Sequence, residues 1–195
     1  SEIMGDIAVK RYLQSDLVRI SGDTIELLKY VAFGSPRAFL RLIREYLDLT
    51  AGSAQKKVNQ IVERHVQLIR AEYDSLQIKL RQFASLIEMG RRLFDSGVQS
   101  IAAAQGEEPS ARNIVLGIRQ EATSNPLVER MMRFLIEVGM FYPLNEVSHG
   151  PNRRYSRYIP HLAFLQHIGA FRAGKGSSSR DISTYMRLPP AKHPV

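Results

Sequence analysis

The chain has 195 residues, of which 44% are hydrophobic and 24% charged, and it contains neither cysteine nor tryptophan. This composition is typical of a globular protein, and the lack of cysteine excludes a disulfide framework and a thiolate metal site. No stretch approaches the ~18 consecutive apolar residues that cross a bilayer, and the N-terminus lacks the pattern of a signal peptide. We therefore expect a cytoplasmic protein with no membrane partner. Because the first residue is Ser and not Met, we also expect a piece of a longer protein.

The net charge of +8 is unevenly distributed. Residues 145–195 contain eight Lys and Arg residues and two acids, which gives +6, whereas the preceding 144 residues carry +2. A basic end on an otherwise balanced protein predicts a nucleic-acid partner, because Lys and Arg neutralise backbone phosphates. The alternative is a solvated basic tail with no particular partner.

The N-terminal part of the chain is predicted to form a compact helical unit. Residues 5–14 make a short amphipathic segment. A helix is then expected to begin at Asp23 or Thr24 and to end at Gly34, because glycine is favoured just after a helix C-terminus. The next helix begins at Pro36, where Ser35 caps free N–H groups and the proline needs no hydrogen-bond donor.

Arg37 lies on the first turn of that helix, where a cation is mildly unfavourable beside the positive end of the helix dipole. A bound anion would resolve the conflict; a side chain that points to solvent is the alternative. The string GSPRAFLRLIR at residues 34–44, with the helix before it, resembles the sensor-2 helix in the lid of AAA+ ATPases, especially the Holliday-junction branch-migration motor. This resemblance covers residues 25–44 and implies that Arg37 reaches the γ-phosphate of ATP bound to a neighbouring core domain.

The longest periodic pattern in the chain predicts a long amphipathic helix. Its apolar residues recur every three or four positions, which is typical of a helix packed along a partner helix. Either the helix forms a coiled-coil dimer, or it packs against a second stripe within the chain, with Gly90 or Gly97 marking a kink or reversal. The residues of this seam are Val58, Val62, Val66, Ile69, Tyr73, Leu76, Leu80, Phe83 and Ile87.

The pattern changes after a loop predicted at residues 105–110, which is the clearest domain boundary. A short strand is expected at residues 113–118, a helix after Asn125, two strands at 140–147 and 153–159 around a turn at 149–152, and a last helix from Pro160 to Gly169. This order resembles the winged-helix domains that follow AAA+ lids in origin-recognition-type initiators and in the branch-migration motor. The resemblance implies a hairpin wing at residues 149–152.

Basic and aromatic side chains alternate at the base of this hairpin. Alternation places Arg153, Tyr155 and Arg157 on one strand face, and Arg154 on the other face with a serine and a second tyrosine, Tyr158. This pattern suits phosphate contacts with some stacking. The alternative is that Tyr155 or Tyr158 belongs to the core and the arginines protect an edge strand from aggregation. The candidate nucleic-acid-binding residues are Arg153, Arg154, Tyr155, Arg157 and, in the flexible segment that follows, Lys175.

No catalytic constellation is found in the sequence. Residues 169–175, GAFRAGK, match most of a P-loop, but Gly176 occupies the position of the Mg²⁺-binding Ser or Thr and no hydrophobic strand precedes it. The histidines lack metal-site spacing, and no GxSxG elbow is present. We therefore predict no catalytic residue, no metal site and no cofactor for this fragment, with ATP and magnesium only in a longer parent chain.

The predicted fold is mainly α: a helical lid fragment at residues 1–52, long amphipathic helices forming a hairpin or spacer at 53–105, a small α+β winged-helix-like domain at 109–172 and a flexible basic tail at 173–195. The predicted function is the non-catalytic C-terminal region of an AAA+ ATPase, which senses nucleotide through the lid and binds DNA or a protein partner through the winged-helix-like module. Two alternatives stay open: a helical protein that self-associates through residues 62–87 without nucleotide, and a free-standing DNA-binding regulator.

Overall fold

The computed structural model describes residues 20–107, 114–148 and 153–170. These ranges form the predicted mainly α architecture with one small antiparallel sheet. The predicted segment at residues 5–14, the hairpin turn at 149–152, the P-loop-like string beyond residue 170 and the tail lie outside the described residues. The elements are α1 (Gly22–Val31), α2 (Pro36–Asp48), α3 (Ala54–Lys79), a 3₁₀ turn (Arg81–Phe83), α4 (Ala84–Glu107), β1 (Leu116–Arg119), α5 (Gln120–Thr123), α6 (Pro126–Glu137), β2 (Phe141–Ser148), β3 (Arg154–Pro160) and α7 (Leu162–His167).

The first two helices are defined by serine caps. Helix α1 begins slightly earlier than Asp23, because the Ser21 side chain accepts a hydrogen bond from the Thr24 N–H at 3.3 Å. Helix α2 begins at Pro36 as predicted, with the Ser35 side chain accepting from the Ala38 N–H at 3.2 Å. Each cap satisfies a backbone donor that has no partner within its own helix.

The long periodic segment is a helical hairpin and not one continuous helix. Helix α3 ends at Lys79, and the chain reverses through the 3₁₀ turn before α4 begins at Ala84. The prediction that Gly90 or Gly97 marks the reversal is therefore wrong. Both glycines lie inside α4, where they allow close packing: a Cβ on Gly90 would lie 2.3 Å from the Tyr73 hydroxyl oxygen, and one on Gly97 would lie 2.6 Å from Leu116 Cδ1.

The seam residues of the hairpin face the protein's own core. From Val58 to Tyr73 the seam is buried, and Ile87 on α4 is buried as well, while the seam residues around the reversal are partly buried against the core. The packing of α3 is thus intramolecular, since its apolar stripe meets α4 and α7. Helix α4 runs through Glu107, so the loop predicted at residues 105–110 does not begin at residue 105.

The sheet has the strand order β1-β3-β2, and both pairings are antiparallel. Helices α5 and α6 connect β1 to β2, so the order strand, two helices, strand, strand matches a winged-helix-like unit. Helix α6 begins at Pro126 behind the Asn125 cap, and Gly139, with φ of 79°, ends it as predicted. An irregularity between Leu144 and Val147 shifts the register of β2 against β3.

One hydrophobic core joins the N-terminal helices to the winged-helix-like unit. Phe94 on α4 packs edge-on against Phe141 on β2 at 5.1 Å and Phe164 on α7 at 4.7 Å between ring centroids. Helix α7 begins at Leu162, two residues later than predicted, and lies against α1, α3 and α4. The last helix therefore packs on helices of the N-terminal part of the chain, although it follows the sheet in sequence.

Candidate functional site

Arg37 lies on the first turn of α2 with its side chain exposed. That turn contains no acidic residue, and Arg37 makes no hydrogen bond or ion pair with any residue that the structure describes. The other two arginines of this helix have acidic neighbours: Arg41 lies 3.5 Å from Glu45 and Arg44 lies 4.0 Å from Asp48. Arg37 is thus the exposed cation at the positive end of the helix, as the sequence predicts.

A buried polar contact connects α2 to the long hairpin. The Arg41 guanidinium donates to Nδ1 of His65, whose side chain is buried in the α3 seam. Because Nδ1 accepts this bond, the His65 ring must be neutral and carry its proton on Nε2, which is buried without a hydrogen-bond partner in the described ranges. Burial first, and the Arg41 charge second, lower the pKa of His65 to about 4.

His161 extends this contact to the end of the winged-helix-like unit. Its ring lies 5.4 Å from that of His65, and its Nδ1 accepts the Ala163 N–H at 3.2 Å, which caps α7. This ring must also be neutral to accept that bond. Burial, followed by the nearby His65, lowers the pKa of His161 to about 3. Both imidazoles therefore act as neutral structural groups.

Phe33, next to Gly34 at the start of the sensor-like string, contacts the same region. Its ring lies 4.7 Å from His161 and 6.1 Å from Tyr142 on β2. The backbone φ of Phe33 is 50°, a left-handed value that bulky residues rarely adopt and that persists only when the surroundings hold it. The loop that precedes Arg37 is thus packed directly against β2 and the start of α7.

The predicted basic strand, β3, is the central strand of the sheet. It is paired on both sides, so the alternative that its arginines protect an edge strand is wrong. Tyr158 is buried against Phe141 at 5.7 Å and is a core residue, as the other part of that alternative predicts. Ser156 hydrogen-bonds Thr123 of α5 at 3.3 Å. The face of β3 that carries Ser156 and Tyr158 therefore faces the helices.

The opposite face of β3 carries Tyr155 and Arg157. Tyr155 is partly exposed and lies directly across from Arg119 on β1. Arg157 is half-buried, and its Nε donates to the Asn145 carbonyl at 2.7 Å, beside the irregular part of β2. This hydrogen bond gives Arg157 a structural role in addition to its charge.

Of the predicted nucleic-acid-binding residues, Arg153 and Arg154 have exposed side chains that make no hydrogen bond or ion pair with the described residues, and Lys175 lies outside those residues. The structure adds Arg119, which sequence reasoning missed. Arg119 ends β1, far from the basic segment in sequence, and only the pairing of β1 with β3 brings it beside Tyr155. Its one sequence signal is its position directly after the strand predicted at residues 113–118.

The described ranges contain no group of three or more His, Cys, Asp or Glu residues that could hold a metal ion. Among the described helices, none combines the length and hydropathy that a membrane span requires. Comparison with known proteins finds no match: no protein-family model, no curated protein and no solved structure matches the chain.

Proposed function

We propose that this chain is the non-catalytic, regulatory part of an AAA+-type ATPase, in which α2 senses bound nucleotide and the winged-helix-like unit binds nucleic acid. The observation that carries the proposal is Arg37, an exposed arginine on the first turn of a serine-capped helix, whose side chain has no partner among the described residues. It lies within the string that resembles the sensor-2 helix.

Placing a cation at a helix N-terminus costs a few tenths of a kcal/mol to about 1 kcal/mol unless an anion compensates it. A phosphate would be attracted both by the helix N-terminus and by the guanidinium, which binds phosphate with parallel hydrogen bonds. The residues around Arg37 fit a terminal phosphate but not a magnesium ion, because the first turn of α2 has no acid. The adenine, the magnesium and the attacking water would be bound by a core domain in a longer chain.

The contacts behind α2 support a role in transmitting this signal. Arg41 connects α2 to His65, and the His65 ring meets His161 at the start of α7. Phe33 packs against His161 and Tyr142 from the other side of the same loop. A movement of α2 toward a phosphate would therefore disturb β2 and α7 directly.

The test of the nucleotide half uses the parent chain that includes the core domain. Arg37→Ala should lower ATPase turnover at least about tenfold, equivalent to ~1.4 kcal/mol of lost transition-state stabilisation. Arg44→Ala is the matched control, because Arg44 is also an exposed arginine of α2. Thermal melting should be unchanged in both variants. Unchanged turnover in Arg37→Ala would remove the sensor role.

The nucleic-acid half is tested on the chain itself. Binding to duplex DNA should be measurable at about 50 mM salt and should weaken steeply as salt rises, because phosphate contacts release counterions. No binding at that salt concentration would exclude this half of the proposal. A free-standing DNA-binding regulator would pass the same test but would lack a Walker A loop and an Asp-Glu strand upstream of Ser1.

Self-association through the long helix is the other alternative. The seam of α3 is buried within the chain, so a dimer would need another face of the hairpin or an opened structure. Light scattering across a range of protein concentrations tests this alternative, and a constant monomer mass would remove it.

A further inference from the structure

The arginines of the winged-helix-like unit fall into two groups. Those on α6 already have partners: Arg133 lies 2.9 Å from Glu129, and the Arg130 guanidinium lies over the Phe83 ring at 4.8 Å. With Glu129 and Glu137 on the same helix, α6 has no net charge. The arginines whose side chains make no hydrogen bond, ion pair or ring contact in the described ranges are Arg37, Arg64, Arg81, Arg119, Arg153 and Arg154.

Three of these arginines lie at the same end of the sheet. Arg119 is the last residue of β1, and Arg154 is the first residue of β3, opposite Ser148 at the end of β2. Arg153 directly precedes Arg154 in the chain. All three side chains are exposed, and together they make the hairpin end of the sheet basic.

Two acids lie near this end. Glu146 accepts hydrogen bonds from the Gln120 side chain of α5 at 3.3 Å. Burial mainly, and the Glu146 charge to a smaller extent, raise the pKa of Tyr158. Glu121 on α5 is exposed. The three arginines therefore outweigh the two acids, and only Glu121 among these acids lacks a hydrogen-bond partner in the described ranges.

We propose that Arg119, Arg153 and Arg154 form a clamp for the phosphate backbone of duplex DNA, and that α6 contributes little charge to binding. This inference rests on the proposed nucleic-acid binding and assigns that binding to the hairpin end of the sheet. It also adds Arg119, a residue of β1, to the binding surface. In a helix-turn-helix protein the second helix would instead read the major groove.

The side chains here suit a duplex better than a single strand. Binding of single strands relies on exposed aromatic rings on which bases stack. Tyr158 is buried, and Tyr155 is only partly exposed; Tyr142 is 58% exposed but packs against Phe33 at the opposite end of β2. The exposed groups at this end of the sheet are guanidinium groups, which contact phosphates, and such contacts carry no sequence information. The clamp should therefore bind duplexes of different sequence with similar affinity.

The experiment removes one arginine charge from the proposed clamp, at Arg119, and compares the effect with removal of one arginine charge from α6, at Arg133. Arg119→Gln and Arg133→Gln are titrated against a fluorescently labelled duplex of about 20 base pairs, by anisotropy, at several salt concentrations from about 50 to about 200 mM. Arg119→Gln should weaken binding about 5- to 10-fold at the lowest salt and reduce the slope of log K against log salt by about 1. Arg133→Gln, the matched control on α6, should stay within about twofold of the unsubstituted chain.

The clamp is overturned if Arg133→Gln weakens binding as much as Arg119→Gln, or if Arg119→Gln binds like the unsubstituted chain. It is also overturned if an unlabelled single strand of the same length competes as well as the unlabelled duplex. A chain that binds no DNA at about 50 mM salt removes both the clamp and the nucleic-acid half of the proposed function. Failure of the arginine contrast alone removes only the clamp. Circular dichroism of both variants checks that each is folded.

Discussion

Gly90 is a point of close packing between the helical hairpin and the winged-helix-like unit. It lies in α4 between Tyr73 on α3 and Met131 on α6, and an added Cβ would meet the Tyr73 hydroxyl oxygen at 2.3 Å and Met131 Cγ at 3.0 Å. Tyr73 is fully buried, and its hydroxyl donates a hydrogen bond to the Ile87 carbonyl at 2.9 Å. Burial raises the pKa of Tyr73, so the hydroxyl keeps this proton at neutral pH. The Tyr73 side chain therefore has little room to move.

Gly90→Ala should destabilise the protein by about 1 to 5 kcal/mol. In an exposed helix interior, the same substitution would stabilise by about 1 kcal/mol, because alanine loses less backbone entropy than glycine. Here overpacking costs about 1–3 kcal/mol, and displacement of the buried hydroxyl from its carbonyl costs about 1–3 kcal/mol more. The two costs together exceed the gain in helix propensity.

Urea unfolding followed by circular dichroism measures this change, and Tyr73→Phe shows where it comes from. Tyr73→Phe alone should cost about 1 kcal/mol, because it removes one hydrogen bond. In the Tyr73→Phe background the hydroxyl oxygen is absent, so Gly90→Ala should cost at least about 1 kcal/mol less than in the unsubstituted chain. Gly22→Ala is the control, because nothing lies within 4 Å of its added Cβ.

Two results would refute this reasoning. One is a Gly90→Ala chain as stable as the unsubstituted chain, which would mean that α4 does not pack against Tyr73 on α3 and Met131 on α6 at these distances. The other is an equal cost of Gly90→Ala with and without the Tyr73 hydroxyl. The second result would assign the destabilisation to Met131 on α6, the next nearest neighbour of the added Cβ.

Further predictions concern the contacts around α2 and α7. In the folded chain the pKa is about 4 for His65 and about 3 for His161, whereas an unperturbed histidine has a pKa of 6.5. Below about pH 6.5 the unfolded chain therefore binds more protons than the folded chain, and the free energy of unfolding decreases as the pH falls. For His65 this loss reaches about 3 kcal/mol by about pH 4. His161→Asn keeps a capping side chain but removes the titrating ring. The free energy of unfolding in urea should therefore change less between about pH 7 and about pH 4 than it does in the unsubstituted chain. An equally large change would contradict the description of His161 as a neutral buried group that destabilises the fold at low pH. Phe33→Gly relieves about 1–2 kcal/mol of left-handed backbone strain but removes the ring contacts with His161 and Tyr142. We expect a lower melting temperature, because the lost contacts outweigh the relieved strain. A higher melting temperature would show that the strain is the larger effect. Ser35→Ala should lower the free energy of unfolding by about 1 kcal/mol through loss of the α2 cap, whereas no change in the urea midpoint would mean that this cap contributes little.

Local signals predicted the helices that begin at a cap followed by proline. Ser35 with Pro36 and Asn125 with Pro126 start α2 and α6 at the expected residues, because the cap and the fixed proline φ act within one turn of chain. The strand predictions near residues 140 and 154 were likewise correct, since alternation and the following turn are local features. The exposed position of Arg37 follows from the same local signals.

Long-range contacts explain the predictions that were wrong. The hairpin reverses at residues 80–83, whereas Gly90 and Gly97 are needed for close packing against Tyr73 and Leu116, which no spacing along the chain reveals. The edge-strand alternative for β3 was wrong because β1 pairs with its other side. A glycine or an arginine has the same local propensity wherever its distant neighbours lie, so its role depends on them.

The sequence by itself determined the mainly α class, the capped helix that carries Arg37, and the basic, tyrosine-containing strand of the small sheet. These depend on periodicity, caps and charge, which are properties of neighbouring residues. Only the tertiary structure decided that Tyr158 is a core residue, that His65 and His161 meet beside Phe33, and that Arg119 lies near Arg153 and Arg154. These features require β1 to pair with β3 and α7 to pack on α3, and burial of apolar surface between segments distant in sequence stabilises that arrangement.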